Sequence, residues 1–156
     1  MKREVILSVL FLLIWSAAFA QDETKFAIGL GPEWNMNSKK NFGGGAVLAF
    51  DFNFGSSFAA GINATGSTNF SGLAVIEPAA MFRWYFLSRK HSGLFIQADA
   101  GAYFVFENDE DYPVKFLGGL RAGFRLPLGA RFFVEPYGRF GYPFMFGFGL
   151  LAGVRF

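Results

Sequence analysis

From residue 25 to the C-terminus, apolar and polar side chains keep to opposite parities. The even positions carry the large apolar groups: Phe26, Ile28, Leu30 and Trp34; Leu48, Phe50, Phe52 and Phe54; Ile76, Phe82, Trp84 and Phe86; Leu94, Ile96, Phe104 and Phe106. Nearly every charge falls on an odd position: Glu33, Asp51, Glu77, Arg83, Asp99, Arg121, Arg125, Glu135, Arg139 and Arg155. A period of two is the side-chain period of a β-strand, because successive side chains leave the pleat on opposite faces. Each strand therefore has one greasy face and one face of Gly, Ala and charges of both signs. A soluble barrel would turn the grease inward. Here the large apolar side chains suit an outside that meets lipid, and the balanced charges suit a narrow interior.

Eight alternating segments are predicted, at about 25–35, 44–54, 57–66, 73–86, 93–106, 115–127, 131–142 and 147–156. Each is about 10–14 residues long, near the ~9–11 residues that a tilted strand needs to cross a bilayer. Turn chemistry separates them, as at Gly55-Ser56-Ser57, Ser88 to Gly93 and Pro127 to Ala130. The fold class predicted is all-β: an eight-stranded antiparallel up-and-down transmembrane β-barrel. An even strand number puts both ends of the mature chain on the periplasmic side, so the connectors at 36–43, 67–72, 107–114 and 143–146 face outward. These are short, which leaves little room for loop-borne binding. Aromatic residues gather toward the strand ends: Phe54, Phe58, Trp84, Phe86, Phe132 and Phe156 at one, Trp34, Phe104, Phe106, Phe116, Phe140 and Tyr142 at the other. Two girdles are expected from this. Pro78 and Pro136 lie inside strands and cannot donate to the ladder, so bulges or local kinks are expected there.

The first twenty residues change the picture of where the chain goes. Lys2 and Arg3, an apolar stretch from Val5 to Phe19, and Ala18-Phe19-Ala20 read as a cleavable signal peptide over 1–20. Residues 21–156 then form a single barrel domain. With 23 Phe among 156 residues, a soluble core of this size could not hide its aromatic content. The absence of cysteine excludes disulfides and thiolate metal sites. The net charge of +2, which becomes +1 once Lys2, Arg3 and Glu4 are removed, gives no electrostatic case for nucleic acid.

The ten odd-numbered charges are the best candidate constellation. Five acids and five arginines would point into a lumen just wide enough to be filled by side chains. Arginine suits such a place because its planar fork binds carboxylates bidentately. The leading reading is a structural plug of buried ion pairs. A narrow ion pathway gated by exchanging pairs is the alternative, and catalysis by the carboxylates comes last, since substrate has no entry. His91, the sole histidine, sits beside Ser92 in a predicted inner turn and is expected to be solvated there rather than part of a Ser-His-acid set. Glu107, Asp109, Glu110 and Asp111 form an acidic outer loop; their spacing lacks the Gly and terminal Glu of a calcium loop, so solvation is expected, with loose bridging of divalent cations the alternative. The glycines of Gly147-Phe148-Gly149-Leu150-Leu151-Ala152-Gly153 lack the spacing and following helix of a dinucleotide fingerprint. They occupy lumenal positions, where large neighbours need room. No cofactor is implied.

The last strand, Phe148-Gly149-Leu150-Leu151-Ala152-Gly153-Val154-Arg155-Phe156, ends on Phe with an apolar residue at every second position before it. With the signal peptide, the eight segments and the hairpin from Gly118 through Tyr137, it makes the chain resemble the small outer-membrane β-barrels of Gram-negative-type bacteria, the OmpA/OmpX-like class. The resemblance implies residence in the cell outer membrane among its lipids, a monomeric state, and recognition of Phe156 by the barrel-assembly machinery. The leading functional expectation is a non-enzymatic structural or surface-interaction role. A small-solute pore and a lipid-modifying enzyme are the alternatives in that order, and the surface ligand is left open.

Overall fold

The computed structural model describes residues 25–36, 42–70, 72–86, 91–107, 110–111 and 114–156. The predicted signal peptide lies outside these residues. Eight long strands follow one another: β1 (Phe26–Met36), β2 (Phe42–Phe54), β3 (Phe58–Thr68), β4 (Leu73–Tyr85), β5 (Gly93–Glu107), β6 (Lys115–Leu128), β7 (Phe132–Tyr142) and β8 (Phe146–Arg155). Their limits fall within two residues of the alternating segments, because the period itself marks where the pleat begins and ends. A two-residue strand, Glu110–Asp111, folds back on Phe106 and Glu107 and adds no ninth stave.

Every strand pairs antiparallel with its sequence neighbours, and β1 pairs with β8, so the sheet closes on itself. Beyond the last ladder rungs, Phe156 N donates to Phe26 O at 2.8 Å and Phe26 N to Phe156 O at 3.3 Å, joining the first and last strands. Closure is what a strand needs in lipid, where an open edge would leave backbone groups unpaired.

Each register couples odd with odd and even with even residues. Parity therefore names a face around the whole barrel. All buried side chains are odd-numbered, and every exposed large apolar side chain except Met145, in a loop, is even-numbered. The interior holds the charges and the exterior the grease, the inverse of a soluble barrel.

The barrel has two ends. At the terminal end lie the start of β1, the end of β8 and the turns at 55–57 and 129–131; at the loop end lie the end of β1, the start of β2 and the segment 143–145. Gly55 and Gly129 take positive φ of 59° and 70° in the tight turns, a conformation that costs glycine nothing. Aromatic rings line the outside at both ends. Toward the terminal end Phe26 stacks on Phe50, Phe54 on Phe58, and Phe82 lies against both Phe54 and Phe58. Toward the loop end Trp34 stacks on Phe148. Between the belts the outside carries Leu30, Ile62, Ala80, Ala98, Ala100, Leu120 and Ala122.

Pro78 and Pro136 produce no bulge. The register on either side of each is the same, and only the rungs around them are missing: Glu77 and Pro78 on the β4–β5 ladder, Glu135 and Pro136 on the β6–β7 ladder. Pro32 does the same at the β1–β8 seam, where Gly31 and Pro32 have no partners. A proline removes one donor and interrupts the ladder locally. The flanking rungs, held by a constant two-residue period, keep the strands from slipping.

The lumenal ion-pair network

Alternation along each strand brings one charged side chain or more from seven of the eight strands into the lumen. All ten predicted charges are buried, and the structure joins nine of them in two clusters. Toward the terminal end, Asp51 on β2 and Glu135 on β7 meet Arg83 on β4 and Arg125 on β6. Arg125 Nε donates to Glu135 Oε2 at 2.6 Å and its Nη2 to Asp51 Oδ2, while Arg83 Nη1 donates to Glu135 Oε2 at 2.9 Å. Toward the loop end, Glu33 on β1, Glu77 on β4 and Asp99 on β5 surround Arg121 on β6 and Arg139 on β7. Arg139 Nη1 donates to both Glu33 Oε1 (2.7 Å) and Glu77 Oε2 (2.8 Å), and Arg121 Nε donates to Asp99 Oδ2 at 2.8 Å. Tyr137 donates its hydroxyl proton to Glu33 Oε2.

Gln97 links the clusters. Its Oε1 accepts from Arg83 Nε at 2.9 Å, and its Nε2 donates to Asp99 Oδ1 at 2.7 Å. An amide is suited to that place because it presents an acceptor to the guanidinium and a donor to the carboxylate. Asn63 Nδ2 donates to Asp99 Oδ1 at 2.7 Å. Arg155, the tenth charge, stands apart at the terminal end, directed at the carbonyls of Gly129 and Ala130.

Parity predicted which residues point inward but not the aromatic layer among them. Phe95 and Phe133 are odd, and their rings face inward beneath guanidinium groups: Arg83 Cζ lies 4.1 Å from the centre of Phe95 and Arg125 Cζ 4.2 Å from that of Phe133. A desolvated guanidinium on an aromatic face gains a cation–π contact without a hydrogen-bond partner. Phe95 belongs to an apolar cluster with Val47, Ala49, Ala59, Tyr85, Tyr137 and Leu151. Lumenal glycines give it space. A Cβ on Gly149 would lie 2.8 Å from Tyr137 Cε1.

Side chains also pack inward near both ends of the strands. At the loop end Val75, Ala79, Tyr103 and Leu117 form a second apolar cluster, with Leu73, Val105 and Phe144 packed on it. Phe144 comes from the 143–145 connector and folds inward. At the terminal end His91 turns into the lumen and is 5% exposed, its ring edge-on to Tyr85 with centroids 5.8 Å apart. This corrects the expectation of a solvated turn residue. His91 takes φ of 49°, and that left-handed backbone swings the ring inward. Burial shifts its pKa below the usual histidine value, and Arg125 adds to the shift. The side chains of the acidic loop at 107–111 lie outside the described residues. Among the described residues, no three His, Asp or Glu side chains converge as a metal centre.

The shape of the molecule has known counterparts. Neisserial surface protein A superposes with a TM-score of 0.67 at 12% identity, over 86% of this chain and 98% of that one. The outer membrane protein OprG from Pseudomonas aeruginosa superposes with a TM-score of 0.56 at 10% identity, over 85% and 94%. No protein-family profile and no curated protein matches the sequence. At these identities the likeness is one of fold. Together with a lipid-facing exterior and a closed ladder, it makes the chain a small eight-stranded transmembrane β-barrel of the outer-membrane type.

Proposed function

We propose that this chain is a monomeric, non-enzymatic protein of the outer membrane with a structural or surface-interaction role and a closed lumen. The observation that supports this reading is the run of paired charges and apolar side chains along the interior. An apolar cluster stands at the loop end, two ion-pair clusters joined by Gln97 lie below it with a second apolar cluster packed among them, and His91 lies at the terminal end. A solute crossing the barrel would have to separate several charge pairs at once, and breaking one buried pair alone costs about 3–5 kcal/mol. The same pairing speaks against catalysis, since the lumenal carboxylates are engaged with guanidinium groups.

In this reading the terminal end faces the periplasm, as short turns do in this fold, and the loop end faces outward. Lipid is the partner of the even-numbered face, and the barrel-assembly machinery reads the C-terminal Phe156. The short connectors limit any surface ligand to a small footprint at the loop end. Planar-bilayer recording on purified protein tests the reading. Electrically silent insertion is expected; steady, size-selective channels would replace it with a small-solute pore.

A further inference from the structure

The two lumenal clusters are not equal in charge. The terminal-end cluster has two carboxylates, Asp51 and Glu135, against two guanidinium groups, Arg83 and Arg125. The loop-end cluster has three, Glu33, Glu77 and Asp99, against two, Arg121 and Arg139. Arg155, which would balance the total, lies at the opposite end of the barrel, beyond Arg125 and Glu135, against the turn carbonyls of Gly129 and Ala130. Lys115 at the loop end is exposed.

The surplus has an address. Both oxygens of Glu33 and both of Asp99 accept hydrogen bonds. Glu77 uses only Oε2, toward Arg139; its Oε1 is buried without a partner, and its side chain is 1% exposed. Ser67 Oγ is also buried and unpartnered. It belongs to the neighbouring strand: Thr65 faces Glu77 and Ser67 faces Val75, so Ser67 and Glu77 are a diagonal pair on the same lumenal face. Diagonal pairs sit about 7–8 Å apart at the backbone, within reach of a side chain as long as Glu. A buried carboxylate oxygen with no donor costs several kcal/mol unless something positive meets it.

We propose that the loop-end half of the lumen is a binding site for one small monovalent cation, held by Glu77 Oε1 with Ser67 Oγ as a neutral oxygen ligand. One positive charge makes the cluster neutral and satisfies both orphaned oxygens. A divalent ion fits less well: it would overshoot the single surplus charge, and the carboxylates of Glu33 and Asp99 are already saturated.

The test uses the barrel refolded in detergent micelles at pH 8, with NaCl or KCl titrated against choline chloride at matched ionic strength and the urea midpoint followed. The site predicts a saturable rise in midpoint with Na⁺ or K⁺ that choline, too large for the lumen, does not give. Glu77→Gln abolishes the difference between the salts, and Ser67→Ala shifts its half-saturation to at least several-fold higher concentration. Because each variant is compared with itself in two salts, a general loss of stability does not mimic the result. Identical midpoints in all three salts would overturn the proposal, leaving a proton as the neutralising charge. Full retention of the difference in Glu77→Gln would overturn it equally.

Discussion

Arg125 and Glu135 stand opposite each other where the β6–β7 ladder lapses, and their side chains meet at 2.6 Å. Pro136 takes the backbone donor away at this point, and the charge pair ties the two strands together on the lumenal side instead. Glu135 also accepts from Arg83, and Arg125 donates to Asp51, so the pair anchors the whole terminal-end cluster.

Removing both members should therefore cost less than the sum of removing each. Arg125→Met leaves Asp51 and Glu135 short of one cation and should destabilise the barrel by about 3–5 kcal/mol. Replacing the pair with Arg125→Met and Glu135→Leu together should cost clearly less than the sum of the two single changes. Urea unfolding of the four proteins in micelles measures the coupling. Additive losses would mean that the contact contributes nothing to holding the strands.

Protonation of His91 gives a second expectation. Its pKa in the fold is lowered by burial and by Arg125, so the folded state favours the neutral ring. The unfolded chain then takes up a proton at about pH 6.5 before the folded one does, and stability contributed by neutral His91 is lost as pH falls below that value. It is fully present above it. Asn tolerates the positive φ at this position, so His91→Asn keeps the turn. The wild-type midpoint should fall relative to His91→Asn between pH 6.5 and 5. Parallel pH profiles for the two proteins would refute this.

The strands were legible in the sequence because burial on one face imposes a strict two-residue period, as in Leu94 to Phe106. The inward set followed from the same rule. Which charge meets which did not follow: Arg139 and Glu77 are distant in the chain and meet only across a closed lumen. Phe144 and His91 were missed for a related reason. Both sit in connectors, where no period applies and direction is set by local backbone geometry. Phe95 and Phe133 broke the simple contrast of greasy outside and polar inside, because a narrow lumen also needs large apolar side chains to exclude water.

Gly149 shows how tightly that interior is fitted. Tyr137 occupies the space a side chain would need there, and its hydroxyl holds Glu33. Gly149→Val should lower stability by about 1–3 kcal/mol or more through overpacking. Adding Tyr137→Ala should restore part of the loss. A Gly149→Val barrel as stable as wild type in urea would show that the lumen is looser than this.

Phe156 is the last residue and joins Phe26 through two backbone hydrogen bonds while its ring faces outward, 64% exposed. Its deletion removes one aromatic side chain worth about 1–3 kcal/mol at most. If the assembly machinery reads this end, levels in the outer membrane of cells should fall far more than the stability of protein refolded in detergent. An equal effect in both assays, or normal levels in cells, would remove Phe156 from that role.

The central claim is that parity assigns every strand residue to lipid or to lumen. The chain has no cysteine, so single cysteines placed in turn at 94–105 on β5 can each carry a fluorophore without competition. Quenching by brominated lipid acyl chains in reconstituted vesicles should alternate, strong at Leu94, Ile96, Ala98, Ala100, Ala102 and Phe104 and weak at the odd positions between them. Uniform quenching along the strand, or strong quenching at Phe95, Gln97 and Asp99, would contradict the account.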